Sequence, residues 1–326
     1  MDMLFVPSGD PRAILIGFAG QQGRENIATV AKYSTVVGGV DTNPAAQQVA
    51  AEMGFPFFDR VEAAVAAVDF DVAIVTVPHQ VHFEVCEELL RSSKHVIKEK
   101  PFAVNENSAQ KLVELAVEQQ LSIFTLVQRQ FSPAFEFAEK NIYRIGRPYW
   151  FSYDYHMNLG SPTSGWRANT ALASGGVVLD MGYHLVDVIS RLFPEPSEVD
   201  STFLYCYEHM RQGRLEDMAN IRFRFDVENF AGEMTVSRHS HEKSERLVVH
   251  GSGGILTVTP HEAALYSLGG EQLGYAKIGH PKNIMVDQMY KYYFDHLDEP
   301  EARSRHLTEQ LAAVRLIDRI YDRAVA

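Results

Sequence analysis

Short apolar runs alternate with longer amphipathic stretches through the first 127 residues. Segments 13–16, 35–40, 57–58, 71–77, 95–98 and 122–127 read as buried strands, and 24–32, 45–53, 61–67, 78–93 and 108–120 as helices. Strands alternating with helices at this spacing predict a parallel, doubly wound sheet. After residue 147 the pattern changes. Runs at 149–155, 199–207, 220–227, 231–236, 246–249 and 254–258 are β-rich, the last two joined by the turn Gly251-Ser252-Gly253-Gly254. They predict a mostly antiparallel sheet. In Ile221-Arg222-Phe223-Arg224-Phe225 apolar and basic residues alternate, so one face is covered and the other open. A stripe of Leu307, Leu311, Val314, Leu316, Ile317 and Ile320 predicts a terminal amphipathic helix. Three regions follow: 1–130, 131–302, and a helix at 303–326 that packs back on the main body.

The apolar run at 13–16 is followed at once by Gly17-Phe18-Ala19-Gly20-Gln21-Gln22-Gly23 and then by a helix. Strand, glycine turn and helix is the context in which backbone N–H groups and a helix N-terminus cradle a pyrophosphate. The spacing is G-x-x-G-x-x-G rather than G-x-G-x-x-G, which predicts a loop one residue longer than usual; a plain strand-to-helix turn is the alternative. Asp41 ends the next strand, 21 residues after Gly20, where a carboxylate can bind ribose hydroxyls and repel a 2′-phosphate. Thr42, Asn43 and Pro44 follow it with no arginine, which favours NAD over NADP. Asn43-Pro44 also reads as a helix start, so Asp41 has turn chemistry as a second reading. Gly17, Asp41, Pro78, Glu99-Lys100 and Gln128-Arg129 all fall at the carboxyl ends of predicted strands, where such sheets bind ligands.

Further on, Gly175-Gly176 precedes Asp180 and His184. On a regular helix that spacing stacks a carboxylate and an imidazole one turn apart on one face. Such a pair is a ready general acid/base near neutral pH, or an ordinary helix contact. His79 and His82 could hold a metal with a third ligand, but no paired cysteine or acid cluster supports one, and no metal is expected. Arg129 and Arg167 have two readings, contact with cofactor or substrate oxygens and surface salt bridges. Tyr155, His156, Asn158, His239 and His241 are candidates for a sugar-sized pocket. Arg238-His239-Ser240-His241 otherwise reads as a polar loop.

The 326 residues suffice for two domains. A net charge of −12 disfavours nucleic acid and anionic membranes as partners. No apolar run reads as long enough to span a membrane, and Met1-Asp2-Met3-Leu4-Phe5 lacks the basic start of a secretion signal, so secretion is not expected. Two cysteines, Cys86 and Cys206, offer no disulfide framework and suit a reducing cytoplasm.

The glycine loop, Thr76-Val77-Pro78-His79 with His82, Glu99-Lys100-Pro101, Gln128-Arg129 with Phe131 and Pro133, Trp166-Arg167, and Gly175-Gly176 through Asp180 and His184 follow in order over residues 12–190. In these pieces the chain resembles the glucose–fructose oxidoreductase / inositol dehydrogenase (Gfo/Idh/MocA) family of NAD(P)-dependent oxidoreductases. The glycine spacing departs from the family pattern. The resemblance implies a fold of class α/β plus α+β: an N-terminal Rossmann doubly wound parallel sheet, then a C-terminal, mostly antiparallel, open-faced sheet with helices on one side. The second region would hold the substrate and oligomerise, as a homodimer or homotetramer through the open face. Cofactor contacts are implied for Gly17, Phe18, Ala19, Gly20, Gln21, Gln22, Gly23, Asp41, Thr42, Thr76, Pro78, His79, His82, Glu99, Lys100, Arg129, Trp166 and Arg167. Lys100 would polarise a carbonyl or stabilise an alkoxide beside the nicotinamide, His184 would move the hydroxyl proton, and Asp180 would hydrogen-bond the substrate and hold Lys100 or His184. The resemblance also implies a cis Lys100–Pro101 bond. The expected activity is hydride transfer on a secondary alcohol or ketone of a sugar, nucleotide-sugar or cyclitol. Two alternatives stay open: a non-catalytic dinucleotide-binding regulator and an NAD-dependent glycoside hydrolase.

Overall fold

The computed structural model describes residues 10–160, 165–226, 229–277 and 281–325. The chain start read above and Val227, at the end of one predicted strand, lie outside the described residues. The chain forms two units. One comprises the chain up to Leu126 together with Val286–Leu311; the other comprises Val127–Met285 and the chain from Ala312 onward.

In the first unit β1 (Arg12–Ile16), β2 (Thr35–Val40), β3 (Phe57–Phe58), β4 (Val72–Val75), β5 (His95–Lys98) and β6 (Ile123–Thr125) form an all-parallel sheet. Their order is β3-β2-β1-β4-β5-β6, so the winding reverses between β1 and β4. The helices between them are α1 (Gln21–Val30), α2 (Ala46–Met53), α3 (Val61–Ala67), α4 (His82–Arg91) and α5 (Glu106–Glu118). The central strands read as unbroken apolar runs because both faces are covered. Every residue from Ala13 to Ile16 and from Val72 to Val75 is at most 3 % exposed. Two helices begin earlier than their apolar periodicity suggests. The side chain of Asn105 accepts the Ser108 N–H and so caps α5. α1 starts directly after Gly20, which puts Gln21, Gln22 and Gly23 inside the helix and leaves the loop short.

The second unit holds a sheet of nine strands among the described residues: β7 (Pro148–Asn158), β8 (Glu198–Leu204), β9 (Met218–Phe225), β10 (Phe230–Ser237), β11 (His239–Gly251), β12 (Gly254–Val258), β13 (Glu262–Ser267), β14 (Gln272–Lys277) and β15 (Ala324–Val325). The order is β14-β13-β12-β11-β7-β10-β9-β8-β15, antiparallel except for the β7–β10 and β8–β15 pairs. Its helices are α6 (Pro133–Asn141), α7 (Thr170–Ala173), α8 (Tyr183–Leu192) and α9 (Glu208–Gln212). The alternation at 221–225 is as expected: Ile221, Phe223 and Phe225 are buried, Arg222 and Arg224 exposed. Phe151, Phe193, Phe223, Phe225 and Phe230 form an aromatic cluster with several ring centroids under 6 Å apart. Such pairs contribute about 0.5–1.5 kcal/mol each beyond area burial.

Two further helices, α10 (Pro281–Asp295) and α11 (Pro300–Asp322), pass through both units. Residues 286–302, read from sequence as part of the second region, belong to the first. The reason is packing on β6: Tyr293 stacks on Phe124 at 4.7 Å, its hydroxyl donates to the Thr125 carbonyl, and His306 Nε2 accepts the Thr125 N–H. The stripe on α11 is buried at Leu307, Val314, Leu316, Ile317 and Ile320, and half-buried at Leu311. One stretch, Thr170–Leu192, does reach the length and hydropathy of a membrane span, contrary to the expectation from sequence. Its most apolar window is 78 % buried, and it is a core element of the second unit.

Candidate functional site

Gly17, Thr76 and Asp41 come together around the end of β1, where the winding reverses. Gly17 adopts φ +78°, and a Cβ there would lie 2.7 Å from the Thr76 carbonyl oxygen. Thr76 reinforces this approach, its hydroxyl shared between the Ile16 and Gly17 carbonyls. A Cβ on Gly23 would lie 2.6 Å from the Gly17 carbonyl, so the third glycine lets α1 pack on the turn. Phe18 turns inward, fully buried and edge-on to Phe55, which leaves only its backbone for a ligand. Gly20, Gln21, Gln22, Thr42 and Pro78 are exposed.

Asp41 is bound to this loop. Its Oδ2 accepts the Ala19 N–H at 3.0 Å and its Oδ1 accepts the Asn43 N–H at 2.9 Å. The bond to Asn43 is the turn chemistry read from sequence, and each oxygen keeps a second lone pair that a ribose hydroxyl could use. No side chain caps α1 and no acid occupies its first turn. An uncapped helix N-terminus beside glycines and a ribose-type carboxylate fits a dinucleotide. Arg24, overlooked in the sequence, reaches back from α1 and donates Nε–H to the Ala19 carbonyl.

Below the loop, His79 and His82 are buried. The two ring nitrogens of His82 lie against carbonyl oxygens, Nε2 on Val77 at 2.8 Å and Nδ1 on Pro101 at 3.3 Å. Burial, then the Lys98 and His79 charges, push its pKa well below the ordinary histidine range. It braces backbone, which its position at a helix start could not reveal. Lys98, also missed, is fully buried and donates to the Pro101 and Phe102 carbonyls, at 2.5 and 2.9 Å; burial lowers its pKa to about 8. Glu99 is buried as well, and burial raises its carboxyl pKa against the opposing pull of Lys100. Lys100 follows, half-buried, and the Lys100–Pro101 bond is cis.

In the second unit, Val178–Gly182 winds as a π-turn and α8 continues from it. Asp180 sits in that turn, and His184 lies just beyond it at the start of α8. Asp180 accepts Arg167 Nε–H at 2.7 Å, and the Arg167 guanidinium lies 4.5 Å from the centre of the Trp166 ring. From Gly176 to Ile189 His184 alone is not buried. π-Turns concentrate at functional sites. Arg129 turns to its own unit: it grips Glu245 with two bonds, Nε–Oε1 2.5 Å and Nη2–Oε2 2.6 Å, while Tyr153 donates to Oε1. Burial opposes the Arg129 charge, but Glu245 outweighs it and raises its pKa. Tyr155 is buried beside Arg129, Asn158 is exposed and accepts the Gly160 N–H, and His239 lies by Asp217.

The glycine pair has a structural cause. A Cβ on Gly176 would lie 2.3 Å from Glu216 backbone atoms. The buried Glu216 carboxylate accepts N–H groups of Gly176 and Val178 and the Tyr321 hydroxyl, anchoring the start of the π-turn. Burial raises its pKa to about 7 despite these donors. A raised pKa stabilises the fold while the group is protonated, and that stabilisation is lost as pH rises from about 4.5 through 7. Glu216→Gln should remove a pH-dependent difference on the order of 3 kcal/mol between pH 4 and 8. Equal slopes of denaturation midpoint against pH in both proteins would refute this.

Residues 12–126 match the family described as "Oxidoreductase family, NAD-binding Rossmann fold", and residues 143–257 match "GFO/IDH/MocA C-terminal domain". An uncharacterized oxidoreductase of Schizosaccharomyces pombe is 29% identical over 145 residues, 44% of this chain and 39% of that protein. A scyllo-inositol 2-dehydrogenase (NADP(+)) of Bacillus subtilis is 25% identical over 148 residues, 44% of this chain and 45% of that one. The match thus spans less than half the length of these curated relatives. A solved levoglucosan dehydrogenase, in complex with NADH and levoglucosan, superposes with TM-score 0.83 at 17% identity, covering 96% of this chain and 97% of that one. At that identity the likeness shows a shared fold.

Proposed function

We propose, from the premise that this chain belongs to the GFO/IDH/MocA oxidoreductase family, that it moves a hydride between a nicotinamide dinucleotide and a secondary alcohol or ketone of a sugar, nucleotide-sugar or cyclitol. The observation that carries this reading is Asp41 bonded to the uncapped glycine loop at the switch point. The dinucleotide supplies or takes the hydride. Gly17, Gly20 and the start of α1 hold its pyrophosphate, and Asp41 holds the ribose. Lys100 presents an ammonium to the substrate oxygen, where it stabilises alkoxide character. His184 takes the hydroxyl proton on oxidation and returns it on reduction. Asp180, with Arg167 bonded to it, hydrogen-bonds the substrate.

NAD is favoured because Asp41 repels a 2′-phosphate. One observation favours NADP, the Arg24 guanidinium on the same loop. Asp41→Ala should raise the NAD dissociation constant about 10–100-fold, the value of a charge-assisted hydrogen bond. An unchanged constant by calorimetry removes Asp41 from the ribose site. Cys86 and Cys206 are both free, in keeping with a cytoplasmic protein, and the open face carrying Arg222 and Arg224 is the surface for a homodimer or homotetramer.

The deciding experiment follows absorbance of the reduced cofactor with NAD or NADP and a panel of sugars, polyols and cyclitols. Turnover on one class supports the reading. Silence across the panel, with dinucleotide still bound, favours a nucleotide-sugar ketone as substrate or the non-catalytic regulator.

A further inference from the structure

The Arg238-His239-Ser240-His241 run plays no part in the chemistry above. It lies beside the exposed cysteine of the second unit. Cys206 Sγ, a carboxylate oxygen of Asp217 and a ring nitrogen of His239 all lie within 4.8 Å of one another. Asp217 is fully buried, His239 is half-buried, and Cys206 opens to solvent. The carboxylate is held from two sides: Arg238 Nε–H donates to Oδ1 at 2.8 Å, and the Cys206 N–H donates to Oδ2 at 2.7 Å.

His239 is the telling residue. Its Nε2 is 3.4 Å from Asp217 Oδ1, is buried, and makes no hydrogen bond. A buried imidazole nitrogen ordinarily has a hydrogen-bond partner. Here a nitrogen able to offer a lone pair faces a carboxylate oxygen, an arrangement that a cation between them would satisfy.

We propose that Cys206, Asp217 and His239 form a binding site for a borderline-soft divalent transition metal of the zinc class, with a fourth position open to solvent. Two ligands each about 2.1 Å from zinc at the tetrahedral angle lie about 3.4 Å apart. That is the spacing of His239 Nε2 and Asp217 Oδ1. A thiolate and an imidazole select zinc-class metals over magnesium or calcium. Arg238 and the Cys206 N–H supply the outer hydrogen bonds that liganding carboxylates use. On binding, the Cys206 thiol gives up its proton to solvent, the S–H bond is replaced by a sulfur–metal bond, and no electron is transferred. Positions 206, 217 and 239 are too far apart in the chain to read as a metal motif.

The test uses the full chain, freed of metal and kept reduced without oxygen, titrated with Co²⁺ as probe and then with Zn²⁺. One equivalent of Co²⁺ should bind with a thiolate-to-metal absorption band, release about one proton, and be displaced by Zn²⁺. Cys206→Ser should lose the band, and His239→Ala should weaken Zn²⁺ binding at least about 100-fold. His241→Ala, on an exposed side chain of the same run, should bind as the wild type does. Thermal unfolding confirms that each variant is folded. The proposal is overturned if Co²⁺ gives no thiolate band, or if folded Cys206→Ser and His239→Ala both bind Zn²⁺ within threefold of wild type. Neither result depends on dinucleotide or turnover, so the site and the hydride-transfer reading stand or fall separately.

Discussion

Lys100→Ala should slow hydride transfer by about 10²–10³-fold while NAD binding changes less than threefold. The magnitude is that of removing one preorganised donor from a developing oxyanion, about 3–4 kcal/mol. The structure explains why the loss should be confined to the chemical step. The segment bearing Lys100 is set from behind by Lys98 and His82, both buried and both directed at backbone carbonyls. Truncating Lys100 leaves that bracing in place, along with the Gly17 turn and its bond to Thr76. Single-turnover absorbance of NADH formation, with NAD affinity measured in parallel, separates the two quantities. A rate within a few-fold of wild type would exclude Lys100 from the mechanism.

Arg129→Ala should cost about 3–5 kcal/mol of stability in the second unit. Its partner Glu245 has a side chain only 3 % exposed, so truncation leaves a buried carboxylate with only Tyr153 to answer it. Replacing both partners by apolar residues of similar volume, Arg129→Met with Glu245→Leu, should recover most of the loss, because neither charge is then buried alone. The two tryptophans, Trp150 and Trp166, both lie in the second unit, so denaturant unfolding followed by their fluorescence reports on it directly. A single-variant cost below about 1 kcal/mol would mean that the pair behaves as a solvated surface bridge.

Arg129 also marks where sequence reading ran out. It follows a strand end and looked equally suited to a ligand or a surface partner, and only the fold brought Glu245, 116 positions away, into bidentate contact. Gly175-Gly176 likewise carried no sign of what it packs against. The answer, Glu216, lies 40 positions on. Lys98 and Glu216 were missed because a lone charged residue in or before a strand carries no local mark of burial.

What the sequence determined by itself is what burial imposes locally. An apolar run covered on both faces gave the parallel strands, an alternating one gave the half-covered strands such as Ile221–Phe225, and a glycine turn between strand and helix placed the loop from Gly17 to Gly23. Asp41 was legible because its distance from that turn is fixed by the length of one strand–helix–strand step. Tertiary structure alone decided which surfaces meet. It turned Phe18 into the core, set His82 on backbone carbonyls, wound a π-turn through Asp180, and gathered Cys206, Asp217 and His239. Secondary structure depends on each residue's neighbours within a few positions, whereas a side chain's charge state and partner depend on residues that only packing brings near.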